Sequence, residues 1–176
     1  MNKFVDVILD VVFKHHAGRR IVFSSFDPDI CSMLRLKQSV YPVLYLTQAV
    51  CPRYIPYADP RTKSIQICTE FAVSAGLLGI DVLSDAFVED MSLLTYAKDA
   101  GLVVFVWGEG CNDKEIIQKF KDHKVDGIIY DRLDYYKTGD KESIFKIEEK
   151  RKRQLLERIG SISLKLETND SGTDSP

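Results

Sequence analysis

The sequence has no uninterrupted apolar run of the ~18 residues that a membrane-spanning helix needs. Its N-terminal stretch MNKFVDVILDVVFKHH carries Asp6 and Asp10 inside the apolar part and has no small-residue cleavage site. It reads as an amphipathic helix and not as a secretion signal. There is no excess of positive charge: the formal net charge is −2, which gives nucleic acid nothing to hold. Histidine is scarce, with His15, His16 and His123 the whole supply. The four cysteines, Cys31, Cys51, Cys68 and Cys111, are spaced too widely for a zinc or redox motif, so they read as the reduced thiols of a cytoplasmic protein. No internal repeat is present.

What remains is ordinary globular composition, 45% apolar and 28% charged over 176 residues, enough for one domain with a core. Phe4, Val7, Ile8, Val11 and Val12 share a helical face, and Gly18 is placed to end that helix. Strands are expected at Ile21–Phe26, Val43–Leu46, Gly79–Leu83, Leu102–Trp107 and Gly127–Tyr130. Helices are expected between them. Asp27-Pro28 starts one, with Ile30, Met33 and Leu34 inward. SIQICTEFAVSAGLLG holds another. EDMSLLTYAKDAG holds a third, closed by Gly101. DKEIIQKFKDHK holds a fourth, with Asn112 and Glu115 as a capping pair. The proline-rich AVCPRYIPYADPRTKS is a loop over the sheet edge or the site. An amphipathic helix over 141–160 is expected beyond, and a disordered tail over 167–176.

Strands and helices alternate with short links, which argues a parallel sheet with right-handed crossovers. Periodicity leaves two forms open, a small doubly wound sheet or part of a closed barrel. In either, SSFD, LTQ, WGEG and YDR fall at carboxyl strand ends along one rim, where α/β proteins place their sites.

RRIVFSSFDPDICSMLRLKQSVYPVLYLTQ, GLVVFVWGEGCND and VDGIIYDR together resemble the C-terminal half of the glycerophosphodiester phosphodiesterase domain, over residues 2–134. The likeness is greatest to the cytosolic eukaryotic glycerophosphocholine phosphodiesterases. The resemblance implies the C-terminal part of a TIM (β/α)8 barrel, incomplete here, and a cytoplasmic location. It also implies hydrolysis of glycerophosphodiesters such as glycerophosphocholine to glycerol phosphate and an alcohol. That chemistry uses a divalent cation, Mg or Ca, and two proton-moving histidines. The family's His-Arg, Glu-x-Asp, His-Asp and Glu-Ile-Lys segments do not occur in this sequence. The chain is therefore expected to be a C-terminal fragment, inactive alone, whether a partial gene product, a short isoform or a truncated paralogue.

No residue qualifies as catalytic. His15 and His16 are neighbours on a helix and point about 100° apart, and His123 sits near a helix C-terminus that favours a cation. Glu109 and Asp131 are rim carboxylates; two of them without further ligands would make a weak metal site. Phe26 and Trp107 are candidate substrate-binding residues, with aromatic faces for a quaternary ammonium such as choline, or else core residues. Ser24 and Ser25 could donate to a phosphate or satisfy strand-end backbone. Two other classes compete with the phosphodiesterase reading. A non-catalytic half-barrel would associate with itself or with an N-terminal half-barrel through its open edges. The basic run Lys150–Arg153, diluted by Glu148, Glu149 and Glu157, could lie on a membrane surface or form an ordinary solvated helix.

Overall fold

The structure, a computed structural model, describes residues 1–131 together with helical positions at 149–150, 153–154 and 157. The chain divides into two units, Met1–Gly139 and Asp140–Pro176. Most of the helix expected over 141–160, and all of the tail over 167–176, lie outside the described residues.

Five strands, β1 (Phe23–Ser25), β2 (Val43–Thr47), β3 (Gly79–Leu83), β4 (Val103–Trp107) and β5 (Gly127–Ile128), lie side by side in chain order. Every pairing is parallel, as the alternation predicts. β3 sits at the centre of the sheet. Among the described residues β1 and β5 pair on one side only. The helices are α1 (Asn2–His15), α2 (Pro28–Lys37), α3 (Ile65–Ser74), α4 (Ser84–Glu89), α5 (Ser92–Asp99) and α6 (Lys114–Asp122).

Local chemistry explains most boundaries. Asp27 caps α2, its carboxylate accepting from Asp29 N at 2.8 Å and Ile30 N at 3.2 Å, with Pro28 inside the first turn. Ser64 caps α3. Gly101 leaves α5 at a φ of +80°, the left-handed value glycine tolerates. Two expectations are corrected. The cap of α6 is Asp113, which accepts from Glu115 N and Ile116 N; Asn112 is engaged elsewhere. The helix expected over EDMSLLTYAKDAG begins only at Ser92, and Glu89 instead ends a separate short helix, α4, that follows β3 directly.

α1 also turns differently from expectation. It buries Val5 and Leu9, while Phe4, Val7 and Val11 stand more than half exposed. The helix is apolar over more than one face, so spacing alone could not choose which stripe meets α2. The contact is fixed by packing and by the Lys37–Asp6 ion pair at 2.6 Å.

The core lies between the sheet and its helices. Val43, Tyr45, Ile80, Val82, Val104 and Val106 alternate along the strands and meet Cys31, Leu34, Cys68, Ala72, Leu94 and Phe120. The registered rows between them, Leu46–Asp81–Phe105 and Leu83–Trp107, therefore point to the other face. At Gly79 the strands approach so closely that a Cβ would lie 1.9 Å from the carbonyl oxygen of Val103.

Asp81 lies on that other face, in the central strand. It is 2% exposed, and its Oδ1 has no hydrogen-bond partner among the described residues. Burial raises its pKa to about 7, because desolvation penalises the charged carboxylate. The folded state thus binds a proton more tightly than the unfolded chain. Stability from this group is full below about pH 4 and is lost as pH rises to about 7. Urea unfolding across this range should show a loss that Asp81→Asn removes, with a difference between the two proteins of up to about 4 kcal/mol. Parallel pH profiles for the two would show that Asp81 is charged in the fold.

Candidate functional site: an aromatic rim under a pinned loop

The parallel sheet brings the carboxyl ends of all five strands to one rim. Phe26 follows β1 and Trp107 ends β4. Their rings meet edge to face with centroids 5.6 Å apart. The Trp107 indole N–H donates to Thr47 O at 3.3 Å, which ties β4 to the end of β2.

Two tyrosines not anticipated from sequence join them. Tyr57 packs on Phe26 at 5.2 Å and Tyr54 on Trp107 at 6.2 Å. Both belong to the proline-rich loop between β2 and α3, which therefore lies over the rim. Composition predicts a loop over the sheet edge or the site, and it is the site that the loop covers; which rings it covers depends on contacts distant in sequence.

Arginines hold the loop at both ends. Arg53 pairs with Glu109 after β4 and with Asp85 in α4, the latter at 3.4 Å. Arg61 pairs with Asp29 of α2 at 2.7 Å and grips Asp59 through Nε and Nη2. Its guanidinium lies over the Phe71 ring at 5.3 Å. The hydrogen bonds from Arg61 hold the Asp59 carboxyl below its usual pKa.

Ser24 is exposed, and Ser25 is half-buried and accepts from Asp27 N at 3.1 Å. Ser25 thus satisfies backbone at the strand end. Glu109 is engaged by Arg53. Asp131 is joined to Asn112, accepting from its amide at 2.8 Å while its own N–H donates back at 3.0 Å. The two rim carboxylates are thus held by separate partners. The described residues contain no group of three His, Cys, Asp or Glu side chains placed to hold a metal. The described residues do not fit a divalent-cation centre.

The histidines stand apart from the rim groups. His15 and His16 end α1, where His16 Nδ1 accepts from Gly18 N, and His123 ends α6 beside Lys119 O. All four cysteines are free and buried. Desolvation pushes Cys31 and Cys111 up to about 12 and Cys68 up to about 11, which removes them as nucleophiles.

The sequence model of the Glycerophosphoryl diester phosphodiesterase family matches residues 1–135. The chain belongs to this family. It is 43% identical over 159 residues to the glycerophosphocholine phosphodiesterase GPCPD1 of Rattus norvegicus, covering 89% of this chain and 24% of that protein. It is 38% identical over 133 residues to the glycerophosphocholine phosphodiesterase GDE1 of Eremothecium gossypii, covering 76% of this chain and 10% of the relative. The chain spans about a quarter of the length of GPCPD1. The glycerophosphodiester phosphodiesterase structure from Thermotoga maritima matches with a TM-score of 0.51 and 25% identity, over 73% of this chain and half of that one. A second, from Parabacteroides distasonis, shares the fold with a TM-score of 0.58 at 17% identity, over 85% of this chain and 52% of that one. The five-strand sheet is accordingly part of a (β/α)8 barrel of the family's type.

The ion pairs at Arg53 are exposed, with Glu109 72% accessible, so they orient the loop more than they stabilise the fold. Arg53→Ala should move the emission of Trp107, the single tryptophan, to the red as Tyr54 leaves its ring. The unfolding free energy should change by less than about 1 kcal/mol. Unchanged emission would show that Arg53 does not hold the loop.

Proposed function

We propose that this chain serves the hydrolysis of glycerophosphodiesters, such as glycerophosphocholine, to glycerol phosphate and an alcohol, and that its share of the work is to bind substrate. The observation that carries this reading is the Phe26–Trp107 pair, 5.6 Å apart at the carboxyl rim of a chain belonging to the phosphodiesterase family. Aromatic faces attract a choline head group. Ser24, exposed in β1 two residues before Phe26, supplies a hydroxyl donor for the phosphate.

Among the described residues, no group suited to the proton-transfer or metal-binding parts of the reaction stands at the rim. General acid–base catalysis contributes roughly 10²–10⁴-fold, and a metal several kcal/mol more. The described residues hold neither a histidine at the rim nor a metal donor set. Binding that does not favour the transition state does not accelerate the reaction. With Mg or Ca, the chain alone is expected to release no choline from glycerophosphocholine above background. Metal-dependent release that is lost on changing Glu109 or Asp131 would place the chemistry here.

A second reading is a non-catalytic half-barrel that associates with a partner. It is favoured by the one-sided pairing of β1 and β5 among the described residues, since open parallel edges invite pairing. Size-exclusion chromatography with light scattering should then show self-association or a broad, poorly cooperative melt. A monodisperse monomer that melts cooperatively would remove this reading.

A further inference from the structure

The segment 48–59, between β2 and the short turn Pro60–Thr62, is held firmly at its ends and lightly in between. At its start, Thr47 Oγ1 accepts from Ala49 N at 3.0 Å. At its end, Arg61 is fixed by Asp29 and Asp59, and its carbonyl accepts from the buried Cys68 thiol at 3.1 Å. Within the segment, Gln48 Nε2 donates to Ile55 O at 2.7 Å, which ties the tip to itself. Val50 and Ile55 stand 66% and 92% exposed, so they anchor nothing.

What the middle lays against the rest of the protein is two rings, one thiol and one guanidinium. Tyr57 lies on Phe26 with the planes 30° apart, and Tyr54 on Trp107 with the planes 33° apart. Rings so nearly parallel meet face to face, whereas Phe26 and Trp107 meet each other edge to face at 79°. The faces are the part of a ring on which a ligand stacks, and here the chain's own tyrosines hold them. Cys51 is buried, and its thiol donates to Asp85 Oδ2 at 3.6 Å. Arg53 pairs with the same Asp85 and with Glu109. The Arg53 and Glu109 side chains are 44% and 72% accessible, and ion pairs so open to water are weak and are screened by salt.

We propose that the segment 48–59 is a strap that closes the rim by occupying it: Tyr54 and Tyr57 take the faces of Trp107 and Phe26 that a bound diester needs, and the Arg53 pairs are the latch. This rests on the rim reading and adds the regulation of that same site. Arg61 is the fixed end about which the strap lifts. Lifting breaks both Arg53 pairs, frees both rings and exposes Cys51, the one cysteine of the segment. The structure is the closed form. Substrate meets only the molecules whose latch is open, so its apparent affinity falls by that fraction.

The test uses the full chain. Opening is read by N-ethylmaleimide labelling of Cys51, located by peptide mapping, and by acrylamide quenching of Trp107, the single tryptophan. Cys31 and Cys111, buried outside the segment, are internal controls for global unfolding. Where reclosing outpaces the reaction, labelling follows the open population. Raising sodium chloride from about 0.02 M to about 0.5 M should speed Cys51 labelling several-fold in the unaltered chain. Arg53→Ala should speed it roughly fivefold at low salt and abolish its salt dependence. By ligand-observed NMR, Arg53→Ala should also bind glycerophosphocholine more tightly than the unaltered chain by a similar factor.

Cys51 labelling indifferent to both salt and Arg53→Ala would overturn the proposal. So would labelling of Cys31 and Cys111 that rises in step with Cys51, since the fold and not the strap would then be opening. Equal diester binding by the two proteins while Cys51 opens would show that the tyrosines do not block the rim. The remaining outcomes separate the strap from the reading it rests on. If Cys51 and Trp107 open together and neither protein binds the diester, the latch stands and the rim reading fails. If the diester binds and Cys51 stays closed in both, the strap is wrong and the rim reading stands.

Discussion

The close approach of β3 to β4 at Gly79 is the constraint on which the rest of the structure depends. A side chain there would run into the Val103 carbonyl. With only hydrogen at that point the strands close up and pair Gly79 with Val103, and the register then runs on to pair Leu83 with Trp107. That register carries Trp107 to the rim, level with the residues that leave β1 and β2. A shift by one residue would turn Trp107 onto the helix side and turn Val106 outward. The aromatic rim is thus a consequence of backbone packing several residues below it.

The loop between β2 and α3 depends on that frame in turn. Its arginines reach Asp85 and Glu109 at one end and Asp29 and Asp59 at the other. Asp59 belongs to the loop itself, while Asp29, Asp85 and Glu109 come from three other parts of the chain, so the loop takes its place only once the surrounding βα units have assembled. The same pairing engages Glu109 with Arg53. The charged groups of the rim hold the loop that carries Tyr54 and Tyr57. Asp81, buried on the face away from the helical core, keeps an Oδ1 that is buried and has no hydrogen-bond partner among the described residues. Burial raises its pKa well above the usual carboxylate range.

The alternation of strand and helix, the parallel polarity and the common rim could be read from the sequence, because each rests on local patterns. Apolar runs bounded by Asp-Pro and by glycine place elements whatever surrounds them. The Asp27-Pro28 start of α2 is such a case, and the capping bonds are those its residue types imply. Phe26 and Trp107 could be placed on one rim for the same reason, since each ends a strand of one polarity.

What the sequence by itself determined is therefore the order of elements and the end of the sheet on which polar and aromatic residues collect. The tertiary structure alone decided which stripe of α1 is buried, that Asp113 and not Asn112 caps α6, that Arg53 takes Glu109, and that Tyr54 and Tyr57 complete the rim. The physical reason is the same in each case. These outcomes are choices among partners of equal local merit, made by contacts between residues tens of positions apart. Helical period cannot rank two apolar stripes, and loop composition cannot say which ring a tyrosine will meet. Only the packed frame, with its strand register set at Gly79, makes one partner near and the others far.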